Sequence, residues 1–98
     1  MMLESVFQAN LIREIQEMLP NSIIIKSDPS YIQGFPDLII LHNQKWAALE
    51  VKRSSKSKRR PNQEAWVRII NGISFASVIY PENKEEVLRE LQQKLRTS

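Results

Sequence analysis

The stretch LIILHNQKWAALEV, residues 38–51, restricts the fold more than any other, because both of its alternating faces are apolar near the centre. Side chains alternate across a strand, so a strand wetted on one side shows apolar and polar residues in turn. Two apolar runs separated by Asn43-Gln44, with Lys45 as a further turn residue or the first of the returning strand, predict a hairpin of central strands covered on both sides. A sheet covered twice needs helices above and below it. An α/β domain follows, and 98 residues leave room for only one.

The flanking patterns supply those helices. Leu3, Phe7, Leu11, Ile15 and Met18 recur at helical spacing, with Val6, Ile12 and Leu19 widening the stripe, and Pro20 ends the run. Ser22–Ile25 is short and β-branched, a strand. Residues 26–36, with two prolines and a glycine, form a long loop before the hairpin. Pro61 suits a first helical turn and Asn71-Gly72 is a stop signal, which predicts a helix between them. Residues 74–80 read as a fourth strand. Residues 83–98 read as a last helix, with Val87, Leu88, Leu91 and Leu95 on one side and Glu85/Arg89 and Glu90/Lys94 pairs at four-residue spacing. The order is helix, three strands, helix, strand, helix: a mixed four-stranded sheet flanked by helices, with a C-terminal helix added.

Several chemistries are excluded by composition. There is no cysteine, which removes disulfides, thiolate metal sites and a cysteine nucleophile. The single histidine, His42, stands at the hairpin turn and is assigned no role. A metal would be held by oxygen, which favours magnesium, manganese or calcium. No apolar run approaches the ~20 residues that cross a bilayer. The amino terminus is polar and patterned from Glu4, unlike a secretion signal. A soluble, cytoplasmic protein is the expectation.

Three polar residues interrupt the hairpin's apolar pattern: Asp37 before it, and Glu50 and Lys52 on its returning arm. With Asn43 and Gln44 as a two-residue turn, paired residues have numbers summing to 87, so Asp37 faces Glu50 on one side of the sheet. Lys52, two residues on, shares that side. A three-residue turn would put Asp37 and Glu50 on opposite faces. Two carboxylates about 5 Å apart repel by around 3 kcal/mol at an effective dielectric of about 20. A raised pKa, a cation or a metal relieves this. Either Lys52 pairs with them in a structural cluster, or a divalent ion binds both and leaves Lys52 free, the arrangement of a phosphoryl-transfer site.

Pro36-Asp37 followed across a hairpin by Glu50-Val51-Lys52 resembles the PD-(D/E)XK nuclease signature, and the element order resembles that superfamily's restriction-endonuclease-like αβββαβ core. GFPDL, EVK and PNQEAW together look most like the VRR-NUC branch, which includes small phage endonucleases and Holliday-junction-resolvase-like enzymes. The resemblance runs from about Glu4 to Tyr80. It implies that Asp37 and Glu50, with the Val51 carbonyl, bind Mg2+ (or Mn2+), and that Lys52 is the catalytic lysine. It also implies site roles for Glu4, on the first helix, and for Gln63, which opens the helix after the hairpin. The chain departs from the pattern just before that helix, where Arg60 stands in place of a glycine and a small capping residue.

Residues 52–60, KRSSKSKRR, hold six of the fourteen basic residues, leaving eight against eleven acidic ones elsewhere. Such a local basic run fits a polyanion. Its serines and lack of aromatics suit contacts to the nucleic-acid backbone rather than to bases. Arg53, Lys56, Lys58, Arg59 and Arg60 are therefore candidate DNA contacts, and Tyr31, in the long loop, is the one nearby aromatic for stacking on a base or wedging a junction. Trp66 is read as core. The combined expectation is a magnesium-dependent endodeoxyribonuclease of low sequence specificity, because no recognition helix is present. Action on branched DNA would require two sites, hence a homodimer. The rival readings are a non-catalytic nucleic-acid-binding module that uses the basic loop, and an oligomerisation adaptor built on the last helix.

Overall fold

A computed structural model of the chain describes residues 3–96. Its elements are α1 (Glu4–Met18), β1 (Ile23–Lys26), β2 (Leu38–His42), β3 (Lys45–Val51), α2 (Pro61–Ile73), β4 (Phe75–Ile79), a 3-10 turn (Pro81–Asn83) and α3 (Lys84–Arg96). The strands form one sheet in the order β1-β2-β3-β4. The first two pairings are antiparallel and β3–β4 is parallel. A parallel neighbour cannot be reached by a tight turn, and α2 supplies the crossover.

Asn43 (φ 52°) and Gln44 (φ 62°) both adopt left-handed backbone. That conformation matches the twist of a two-residue hairpin loop even though neither residue is glycine. The turn sets the register: His42 pairs with Lys45, Leu41 with Trp46 and Leu38 with Leu49. Each pair sums to 87, as the two-residue turn predicts.

Alternation along the strands then sorts side chains to two faces. Leu38, Ile40, Ala47, Leu49 and Val51 are buried with Phe7, Leu11 and Ile15 of α1 and Val87, Leu91 and Leu95 of α3. Fully burying a side chain of this size contributes about 1.5–3 kcal/mol, so this face dominates the core. Ala48 and Ala76 pack on the other face with Ile70, Trp66 and Val67 of α2, together with Phe35 and Trp46. The small alanines let α2 approach the sheet closely.

Several boundaries and one packing expectation differ from the sequence reading. α2 runs through Asn71-Gly72 to Ile73. Asn71 Oδ1 instead accepts the Ala76 N–H at 3.1 Å and so ties the start of β4 to the helix. β2 begins at Leu38, where the pairing with β3 gives way to the Asp37 side chain, and β1 extends to Lys26. Thr97 and Ser98, which the periodicity adds to the last helix, lie outside the described residues. The hairpin is covered on both sides only over β3. α2 lies against β3 and β4, which leaves Ile23, Ile25 and Leu41 exposed on the neighbouring sheet surface, and Ile69 and Ile73 exposed on α2 itself. Among the described residues no helix is long and apolar enough to cross a membrane.

Candidate active site

Beyond Leu38 the β2–β3 ladder ends, and the Val51 N–H points to where β2 would have continued. Asp37 Oδ2 accepts that N–H at 2.8 Å, so a carboxylate stands in for a ladder carbonyl. The Val51 carbonyl leaves the strand on the same edge as its N–H. On the other edge, the Lys52 N–H donates to the Ile79 carbonyl at 2.9 Å and carries the parallel pairing one residue past β3. The backbone at Lys52 thus keeps strand geometry, and its side chain emerges on the face shared by Glu50 and Asp37.

Glu50 is the one buried charged residue among those described, 2% exposed. Its Oε2 lies 3.4 Å from Lys52 Nζ. Lys52 Nζ also donates to Gln63 Oε1 at 3.0 Å. Gln63 sits in the first turn of α2, where Oε1 additionally accepts the Arg60 N–H at 3.4 Å. The helix therefore reaches back, through one amide, to hold the lysine that leaves the end of β3. This bond also closes the helix start that lacks a small capping side chain.

Burial pushes the Glu50 carboxyl up to about 7; the Asp37 charge adds to the rise, Lys52 opposes it, and Glu4 adds a further increment. Asp37 is raised too, first by burial, against the Val51 N–H, the Lys52 charge and a hydrogen bond with Glu50. Both carboxyl groups are thus shifted in the direction that favours the protonated form. One ammonium does not fully compensate them.

The structure brings Asp37, Glu50, Lys52 and Gln63 together. Glu4 stands exposed in the first turn of α1, close enough to act on Glu50 through its charge but outside the hydrogen-bonded group. Among the described residues no three His, Cys, Asp or Glu side chains gather as a metal cluster. The protein donors at this point are two carboxylates and the Val51 carbonyl, all hard oxygen atoms. A buried carboxylate beside a half-buried one, short of positive charge, fits a hard divalent cation such as magnesium or manganese.

Arg53, Lys56, Lys58, Arg59 and Arg60 are all exposed on the loop that follows Lys52. The loop is tethered: Ser55 donates its N–H and hydroxyl to the Glu82 carboxylate, the hydroxyl at 3.1 Å, and Arg59 lies over the Tyr80 ring at 5.5 Å. Ser54 and Ser57 bond within it. Glu82, Tyr80 and Asn62 were not legible as site neighbours, because their partners lie 21 to 28 positions away and no spacing rule connects them. A surface depression of about 680 Å³ between Pro81, Glu82, Lys84, Glu85, Glu86 and Arg89 contains none of the carboxylate cluster.

Comparison with protein-family models, with curated proteins and with solved structures gave no match. The geometry of the site therefore carries the functional argument.

Proposed function

We propose that this chain is a metal-dependent endonuclease that hydrolyses DNA phosphodiester bonds with low sequence specificity, on a restriction-endonuclease-like core. The observation that carries the reading is the convergence of Asp37 and Glu50 on one face, with Lys52 held between Glu50 Oε2 and Gln63 Oε1. A purely structural ion pair has no need for a second, half-buried carboxylate beside the first, short of a counter-charge.

Asp37, Glu50 and the Val51 carbonyl would hold magnesium or manganese. When bound there, the ion supplies Lewis-acid polarisation of a phosphate oxygen and lowers the pKa of a bound water. The rest of the work belongs to the chain's own residues. Lys52 places its ammonium beside the carboxylates, where it orients the attacking water or stabilises charge that develops on the phosphate. Gln63 fixes that ammonium's position, and a fixed donor needs no reorganisation as charge develops. Glu4, at the rim, adds negative charge and a second polar group for water. Arg53 to Arg60 contact the phosphate backbone next to the site, which raises affinity without reading sequence. Action on branched DNA calls for two such sites, and a homodimer is part of the reading.

The test is a magnesium-dependent cleavage assay on branched and linear DNAs. The parent chain cleaves, while EDTA or Asp37→Asn abolishes cleavage and leaves binding intact. A second reading draws on the Lys52–Glu50 pair and the bond from the Val51 N–H to Asp37, which satisfy the cluster in part without a metal: a binding module acting through the basic loop alone. Such a module cleaves nothing, and neutralising Lys56, Lys58, Arg59 and Arg60 removes its only activity.

A further inference from the structure

Tyr31 is 83% exposed, the most exposed of the large hydrophobic side chains. Among the described residues its ring packs on no other ring or cation and its hydroxyl has no hydrogen-bond partner. The loop that carries it is nevertheless firmly built. Ser27 closes the neck, its N–H to the Asp37 carbonyl at 2.9 Å and its hydroxyl to the Pro36 carbonyl at 2.6 Å. Asp28 Oδ1 accepts both the N–H and the hydroxyl of Ser30, and the Asp28 carbonyl accepts the Tyr31 N–H at 3.1 Å.

On the return side the loop docks against α2. Gly34, at φ 82°, lies so close to Asn62 that a Cβ would stand 2.7 Å from the Asn62 side chain. Phe35 meets Trp66 edge-on at 5.2 Å between ring centres. These bonds order the loop's backbone and leave the Tyr31 ring exposed. Connectivity places the ring beside the chemistry. The neck of this loop is Asp37, and Asn62, against which it packs, precedes Gln63. The basic loop leaves the same cluster at Lys52. The loop that exposes Tyr31 and the loop that carries the basic charge thus both join the chain at this cluster, one at Asp37 and the other at Lys52. Aromatic platforms beside basic grooves bind unpaired bases, because every base offers a π-face whatever its identity.

We propose that Tyr31 is a stacking platform for an unpaired base, so that the site takes DNA with a single-stranded or splayed segment next to the phosphate in preference to continuous duplex. The statement about the scissile phosphate rests on the nuclease reading; the stacking itself does not. The experiment uses the full chain in EDTA, which separates binding from cleavage. A forked DNA with 2-aminopurine in its unpaired arm, and an intact duplex of the same length, are titrated with the parent chain, Tyr31→Ala and Tyr31→Phe.

The expected result is a loss of between about fivefold and a hundredfold in affinity for the fork in Tyr31→Ala, the range one base–aromatic stack supplies. Intact-duplex affinity stays within about twofold. Tyr31→Phe retains both the affinity and the quenching of 2-aminopurine, since the ring face and not the hydroxyl does the stacking. Equal loss on both DNAs, no loss on either, or a changed sedimentation coefficient in Tyr31→Ala (a ring used between copies of the chain) would overturn the proposal. Stacking that persists in a parent chain unable to cleave with magnesium would overturn the nuclease reading and leave Tyr31 as a base-binding residue.

Discussion

Replacing Glu50 by glutamine separates a site built for a cation from a structural ion pair, through stability alone. Burial holds the folded Glu50 carboxyl at about 7 against an ordinary 4.5. The folded state therefore binds the proton more tightly than the unfolded state. Stability from this group is fully present below about pH 4.5 and is lost as pH rises through 7. At 1.36 kcal/mol per pH unit the loss has a ceiling of about 3 kcal/mol. Solvent reaching the cluster around Lys52 reduces it to about 1–2 kcal/mol. Asp37, raised in the same direction, adds to the trend. Glutamine keeps the shape of the protonated acid and never ionises. In EDTA, Glu50→Gln is therefore expected to match the parent near pH 4.5 and to exceed it at pH 8 by about 1–2 kcal/mol, a shift in Tm on the order of 10 °C for a domain this small. Magnesium at pH 8 should raise the parent's Tm and leave the variant's unmoved. Thermal unfolding followed by circular dichroism at several pH values, with and without magnesium, measures each quantity. A difference between parent and variant that is constant from pH 4.5 to 8, or a variant less stable than the parent at pH 8 in EDTA, would refute the reasoning.

Lys52→Ala is expected to slow magnesium-dependent cleavage by roughly 10²- to 10⁴-fold, while DNA affinity changes by only a few-fold, as single-turnover kinetics and a binding titration will show. Neutralising Lys56, Lys58, Arg59 and Arg60 together should lower the slope of log K against log salt by about 3.6, measured by titration across salt concentrations. Gly34→Ala puts a side chain at φ 82° and a Cβ 2.7 Å from Asn62. The left-handed backbone alone costs about 1–2 kcal/mol, so denaturant unfolding should show at least that loss. Cleavage should fall as well, since the same loop ends on Asp37.

Much of this site was legible because its parts lie on one hairpin. Asp37, Glu50 and Lys52 are separated by a turn of two residues, and strand parity carries them to one face without help from the rest of the molecule. The positive φ at Asn43 and Gln44 shows why the register holds in a turn without glycine. Gln63 was read from a motif, and its bond to Lys52 depends on how α2 packs across the sheet. The stop signal at Asn71-Gly72 was two residues early: the helix continues to Ile73, and the Asn71 side chain accepts the Ala76 N–H just beyond its end. The exposed Leu41 was read as covered because an apolar strand pattern shows that a face avoids water in some context, not which element covers it.

Local periodicity and turn chemistry determined the element order, the hairpin register and the basic charge following Lys52, because each depends on interactions between residues near in sequence. Tertiary packing alone decided the burial of Glu50, the clamp of Glu82 on Ser55 and the docking of Gly34 and Phe35 against α2. Desolvation and contacts across long stretches of chain exist only once the helices have docked on the sheet, and it is these that turn a spacing of polar residues into a desolvated carboxylate cluster.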